Sequence, residues 1–262
     1  MNKNIFVKGF AGLIIAGASF TGAGAAMAAP SPFEGNENCS QVVLPNGNSA
    51  YECASSHYTN NSNGWASSHY VKRSDFFSDV YSTDIFFNEI NWLYENGIST
   101  GWSDGTYRQN ETVKRDVMIT FLYRMAGSPA YTAPKVSPFK DVSTKHVFYK
   151  EIAWAYENGI TEGWKMKDGS REFRPSEDVK RDAVAAFMYR YHGANDTSTK
   201  TNFKDVSSNT IFAKEIAWME KSGLANGWGT GEDKVYKPSS LTKRDAMAAF
   251  IYRYMVEMPK NG

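Results

Sequence analysis

The sequence predicts a mainly α-helical protein made of three helix-loop-helix repeats. Two observations carry that reading. The first is self-similarity: Phe77-Ser78-Asp79-Val80 returns as Phe139-Lys140-Asp141-Val142 and Phe203-Lys204-Asp205-Val206, and equivalent residues lie 62 to 66 positions apart. A fixed period must be recognised before any domain count is attempted. The second is helical spacing. Val113-Lys114-Arg115-Asp116, Val179-Lys180-Arg181-Asp182 and Thr242-Lys243-Arg244-Asp245 each open an apolar stripe: Met118, Phe121, Leu122, Met125; Val184, Phe187, Met188, Tyr191; Met247, Phe250, Ile251, Tyr254. Spacing of three and four residues gathers such side chains on one helix face, which must be buried.

The chain opens with Lys3 and Lys8, an apolar run from Phe10 through Ala18, and small residues ending Ala26-Met27-Ala28-Ala29-Pro30. That order is a secretory signal peptide over 1–28, with cleavage expected after Ala28 and Ala29 as the alternative. The run is short and rich in Gly and Ala for a membrane span, so no membrane insertion is expected after cleavage and the protein is expected to be secreted. Formal net charge is +1, and loss of the two leader lysines leaves it near neutrality. Such balance argues against a nucleic-acid partner. Any anion site must be local.

Residues 29–72 are rich in Ser, Asn and Gly and read as linker, with a tight hairpin over Val42–Asn48, where Asn46-Gly47 suits left-handed turn positions. They hold the chain's two cysteines, Cys39 and Cys53. Outside the cell a disulfide between them, closing a small loop, is expected; two unpaired thiols is the other reading.

The repeats are assigned to 73–133, 134–198 and 199–258. In each, a first helix (Phe86, Ile90, Leu93, Tyr94 and equivalents) is stopped by Gly97, Gly159 or Gly223. A loop follows with Gly101-Trp102, Gly163-Trp164 or Gly227-Trp228, then a short extended piece and the second helix. Helix pairs this small cover their apolar faces poorly alone, and three copies packed together can share one core.

These residues resemble the S-layer homology repeat of bacterial surface proteins. The Phe-x-Asp-Val opening, the helix ending in Gly-Ile, Asp104-Gly105-Thr106-Tyr107-Arg108 and the Arg-bearing start of the second helix carry the likeness over roughly 73–258. The resemblance implies a pseudo-threefold prism with a central helical bundle. It also implies non-covalent binding, in grooves between repeats, of an anionic, typically pyruvylated, secondary cell-wall polysaccharide. The subtype is one often met in exported Gram-positive proteins. The groove arginine of the family's Thr-Arg-Ala-Glu motif matches Arg115, Arg181 and Arg244. The Thr is replaced by Lys114, Lys180 and Lys243, and the Glu by Val117, Ala183 and Ala246, so the usual N-cap pair is lost.

The candidate glycan-binding residues are therefore Arg115, Arg181 and Arg244, whose guanidinium forks match a carboxylate. Lys114, Lys180 and Lys243 stand beside them as supplementary charge. Backbone N–H groups at the helix starts are expected to add donors. Trp102, Trp164 and Trp228 offer aromatic faces for sugar stacking, with core packing as the other reading. Ion pairing of the arginines with Asp116, Asp182, Asp245 or the Phe-x-Asp-Val carboxylates is the structural alternative, while Asp79, Asp141 and Asp205 read as turn caps. Four histidines at unrelated repeat positions give no metal spacing, and no serine elbow is present. The chain reads as a non-enzyme without cofactors, located at the cell wall or cell surface. The rival reading is a secreted structural module whose partner is another surface protein.

Overall fold

The apolar stripes define the architecture. In the computed structural model, which describes the backbone at 39–43, 49–53, 56–59 and 70–71 and residues 72–258 in full, each repeat holds a short helix followed by a second one. They are α1 (Phe87–Glu95) and α2 (Arg115–Met125), α3 (Tyr149–Glu157) and α4 (Arg181–His192), and α5 (Ala213–Lys221) and α6 (Arg244–Tyr252). A π-helical turn, Arg253–Glu257, continues the last. Met118, Phe121, Leu122, Val184, Phe187, Met188, Met247, Phe250 and Ile251 are all buried in one core that draws on every repeat.

The helices do not pair within a repeat. Instead α2 packs on α3, α4 on α5, and α6 returns to α1. The extended residues preceding the second helices close the same circle. Val113 N–H donates to Thr242 C=O, Thr242 N–H to Val179 C=O, and Val179 N–H to Val113 C=O, each at 2.9 Å. Three segments thus meet about a pseudo-threefold axis, and no repeat completes its hydrogen bonds alone.

The loop between the helices is fixed by one glycine. Gly101, Gly163 and Gly227 sit at φ +66°, +63° and +67°. A Cβ on Gly163 would lie 2.4 Å from the Glu172 carbonyl oxygen and 2.6 Å from the Phe139 ring. The Phe of Phe-x-Asp-Val therefore packs directly on the backbone, and the following tryptophan is turned outward.

Residues 29–72 correct the linker expectation. Strands β1 (Cys39–Val43), β2 (Ser49–Cys53), β3 (Ser56–Thr59) and β4 (Tyr70–Val71) form an antiparallel sheet in sequential order. Val43 pairs with Ser49, so five residues join β1 to β2 rather than a two-residue Asn-Gly turn. The Ser, Asn and Gly between them, and strands too short and irregular to show an apolar alternation, concealed the sheet. Cys39 and Cys53 are register partners; directly opposed residues have Cα atoms about 4.5–5.5 Å apart, within disulfide reach. Their side chains, like the expected leader over 1–28, lie outside the described residues.

The glycine corner yields a graded expectation. Gly163→Ala should cost about 3 kcal/mol or more, because backbone strain and a clash with a carbonyl add. Gly159→Ala, also at positive φ (+71°) but with nothing within 4 Å of a new Cβ, should cost about 1 kcal/mol. Urea unfolding of the two variants checks the difference.

Candidate functional site

At each junction between repeats the second-helix arginine crosses into the next repeat. Arg115 Nε donates to Phe173 C=O, Arg181 Nε to Tyr236 C=O, and Arg244 Nε to Tyr107 C=O, all at 2.8 Å. The next repeat answers in two of the three cases: Tyr236 Oη donates to Arg181 C=O (2.8 Å) and Tyr107 Oη to Arg244 C=O (3.0 Å). Phe173 has no hydroxyl to do so.

Each guanidinium lies over the tryptophan of that next repeat: Arg115 on Trp164 at 4.1 Å, Arg181 on Trp228 at 4.3 Å, Arg244 on Trp102 at 4.2 Å from the ring centroid. A second cation lies over the same ring, Arg174 on Trp164 at 4.5 Å, Lys237 on Trp228 at 4.6 Å and Arg108 on Trp102 at 4.6 Å. Cation–π contacts are worth about 0.5–2 kcal/mol each.

The Phe-x-Asp-Val carboxylate positions that second cation. Asp205 accepts from the N–H groups of Tyr236 and Lys237 at 2.8 and 2.7 Å, and Asp79 and Asp141 do the same for 107–108 and 173–174. Arg108, Arg174 and Lys237 are thereby held at φ near +58° to +59°. These carboxylates are turn caps. The sequence reading passed over the cations they hold, although a basic residue recurs at that register in all three repeats.

The arginines are 4–7% exposed, and burial depresses their pKa, for Arg115 to about 10, so all three stay charged at neutral pH. Among the described residues no carboxylate oxygen comes within 4.0 Å of them. The ion pairs weighed for them are thus absent from this structure. Their Nη groups make no hydrogen bond within the described protein, yet none is a fully buried orphan. They therefore keep contact with solvent at the junction between repeats. A buried cation without a counter-charge is costly.

The helix-start donors are a correction. Arg115 N–H is bonded to Glu177 C=O and Asp116 N–H to Pro175 C=O, with Ser240 and Pro238 serving α4 and Glu111 and Gln109 serving α6. The next N–H goes to the helix's own aspartate, Val117 to Asp116, Ala183 to Asp182 and Ala246 to Asp245. The neighbouring repeat replaces the missing Thr and Glu caps, so these amides are spent internally. The lysines also lie apart from the indoles. Lys114 Nζ pairs with Asp178 at 2.7 Å, Lys243 Nζ reaches Asn110 Oδ1 at 3.1 Å, and Lys180 is exposed. Trp102 and Trp164 are half-buried and Trp228 is 44% exposed.

The profile of the S-layer homology domain matches residues 76–116, 138–185 and 202–248. The chain belongs to the S-layer homology family. Among its relatives are an endoglucanase of Bacillus sp. (strain KSM-635), 31% identical over 180 residues, which cover 67% of this chain and 18% of that protein. A cell surface protein of Thermoanaerobacter kivui is 29% identical over 123 residues (46% and 16%), and a cellulosome-anchoring protein of Acetivibrio thermocellus is 24% identical over 169 (62% and 36%). The chain thus spans a minor part of each relative's length, and the endoglucanase's activity does not transfer with so small a share. In this S-layer homology chain, the structure brings together two cations, an indole and a capping aspartate at each junction.

Two outcomes follow. Asp205→Ala strands two N–H donors and a left-handed Lys237, and should cost about 2–4 kcal/mol in thermal or urea unfolding. Asp116, Asp182 and Asp245 are half-buried, and desolvation raises their pKa values above 3.8. A carboxyl raised on folding favours the native state below its unfolded value and loses that contribution as pH rises through the folded one. The triple Asp→Asn variant should therefore be more stable than the parent at neutral pH, with the gain vanishing below pH 3.8. Denaturant titrations across that range check the sign.

Proposed function

We propose that this is a secreted anchoring module that docks non-covalently on an anionic, pyruvate-ketal-bearing secondary cell-wall polysaccharide through the grooves between its repeats. The observation that carries the reading is the set of buried guanidiniums without carboxylate partners, each braced on an indole and with its Nη groups unpaired within the described protein and open to solvent. A carboxylate received there completes a bidentate pair in partly desolvated surroundings, where charge-assisted hydrogen bonds are strong. The indole edge and face left by the two cations meet the apolar side of a sugar ring. The relatives named for the cell surface and for cellulosome anchoring support the same reading and a location at the cell surface. No step in this function calls for a catalytic group or a cofactor.

A second reading has an observation of its own. Ile85, Val147 and Ile211 occupy one register in the three repeats and are 72%, 79% and 68% exposed. Aliphatic groups repeated on a surface suit a protein partner, which fits an interaction module without glycan binding.

Sedimentation with purified cell-wall sacculi separates the two. Anchoring predicts co-sedimentation that is lost when the non-peptidoglycan polymer is stripped and falls at least tenfold in the Arg115/Arg181/Arg244→Lys variant, checked by circular dichroism. Binding that survives stripping and the arginine changes but fails in Ile85/Val147/Ile211→Ser points to a protein partner.

A further inference from the structure

The three junctions share a plan but not a charge. In the groove between repeats 2 and 3, Arg181 and Lys237 stand with the carboxylates Asp205 and Asp182, and the loop opposite the helix start reads Pro238-Ser239-Ser240. The groove between repeats 1 and 2 has the same four groups (Arg115, Arg174, Asp141, Asp116), but Glu177 replaces Ser240. The groove between repeats 3 and 1 has Arg244, Arg108, Asp79 and Asp245, with Glu111 at the serine position and Asp84 where the second-third groove has Thr210. The register is fixed by the backbone: Ser240, Glu177 and Glu111 each give their carbonyl to the arginine N–H of the facing helix.

The second cation follows the same order. Arg108 is already held by Asp104 at 2.9 Å and by Glu111 at 3.6 Å. Arg174 is paired with Glu172 at 3.2 Å. Among the described residues no carboxylate lies within 4.0 Å of the Lys237 ammonium. Trp228 is also the most exposed of the three indoles, and on the repeat 3 side of this junction a cleft of about 440 Å³ is lined by Asp205, Thr210, Lys237, Pro238, Ser239 and Ser240.

We propose that the groove between repeats 2 and 3, built on Arg181, Trp228 and Lys237, is the principal anion site, and that Glu111 and Asp84 suppress the groove closing repeat 3 on repeat 1. The proposal rests on the reading of the grooves as glycan sites. It assigns Ser240 and its counterparts Glu177 and Glu111 as the residues that set groove affinity. A like charge about 7 Å from a bound anion in a largely aqueous groove weakens its binding about threefold.

The test is a titration of the full secreted chain, ¹⁵N-labelled, with a pyruvate-ketal hexose methyl glycoside, following the indole N–H signals of Trp102, Trp164 and Trp228. The Trp228 signal should respond at the lowest ligand concentration and that of Trp102 at the highest. Ser240→Glu should raise the Trp228 midpoint about threefold, and Glu111→Ser with Asp84→Thr should bring the Trp102 midpoint down towards that of Trp228. Ser240 and Glu111 are exposed, and Asp84, which accepts from Tyr81 N–H, is replaced by the residue that makes the same bond in repeat 3, where Thr210 Oγ1 accepts from Ser207 N–H, so the fold survives these substitutions. Equal midpoints in the parent chain, a first response at Trp102 or Trp164, or indifference to Ser240→Glu would overturn the ranking while leaving the grooves as glycan sites. No response at any indole, by contrast, would remove the glycan reading itself and the ranking with it.

Discussion

Everything in this molecule depends on hydrogen bonds that each repeat can make only with its neighbour. The cyclic bonds among Val113, Val179 and Thr242 leave no backbone group open at the axis. The first amides of α2, α4 and α6 find their acceptors in the following repeat, as do the three buried arginines. Unpaired polar groups in such positions would each cost about 1–3 kcal/mol. An isolated helix pair would carry several of them together with an uncovered apolar face. The repeats are accordingly subdivisions of one cooperative unit, unlike stacked solenoid units that are stabilised by nearest-neighbour terms.

The candidate site is a by-product of that dependence. A phenylalanine packed on backbone demands glycine; the glycine turns the tryptophan out; the aspartate two residues after the phenylalanine locks the cation that covers the indole. The arginine then arrives from the preceding repeat to satisfy a carbonyl, and only its Nη groups are left over. Structural duty thus consumes Nε and the indole face, while the remaining donors define the groove. One side chain serves both stability and recognition.

Much of this was legible in the chain itself. The period, the apolar stripes and the Gly-Trp pairs are local patterns, and Arg115, Arg181 and Arg244 stood out by recurring at a helix start where cations are disfavoured. What escaped was relational. That Lys114 would turn to Asp178, sixty-four residues on, and that Glu177 and Pro175 would cap α2 follow from which repeat faces which, and single-repeat spacing carries no such information. Arg108, Arg174 and Lys237 were visible as a recurring charge, yet their role needed the left-handed backbone that Asp79, Asp141 and Asp205 impose. The amino-terminal sheet was hidden for another reason: its short strands, CSQVV, SAYEC and SHYT, lack the regular apolar alternation by which strands are recognised.

The return of α6 to α1 means that the ring has a seam but no true beginning. The peptide links between repeats are incidental to a closed circuit in which every unit hands its arginine forward. A gene that opened the circle between the first and second repeats and joined the old ends by a short linker would encode the same three contacts in a different order. The arrangement also fixes the count. A fourth unit would find no open contact in the closed ring, and two units alone would leave the axial bonds of Val113, Val179 and Thr242 incomplete.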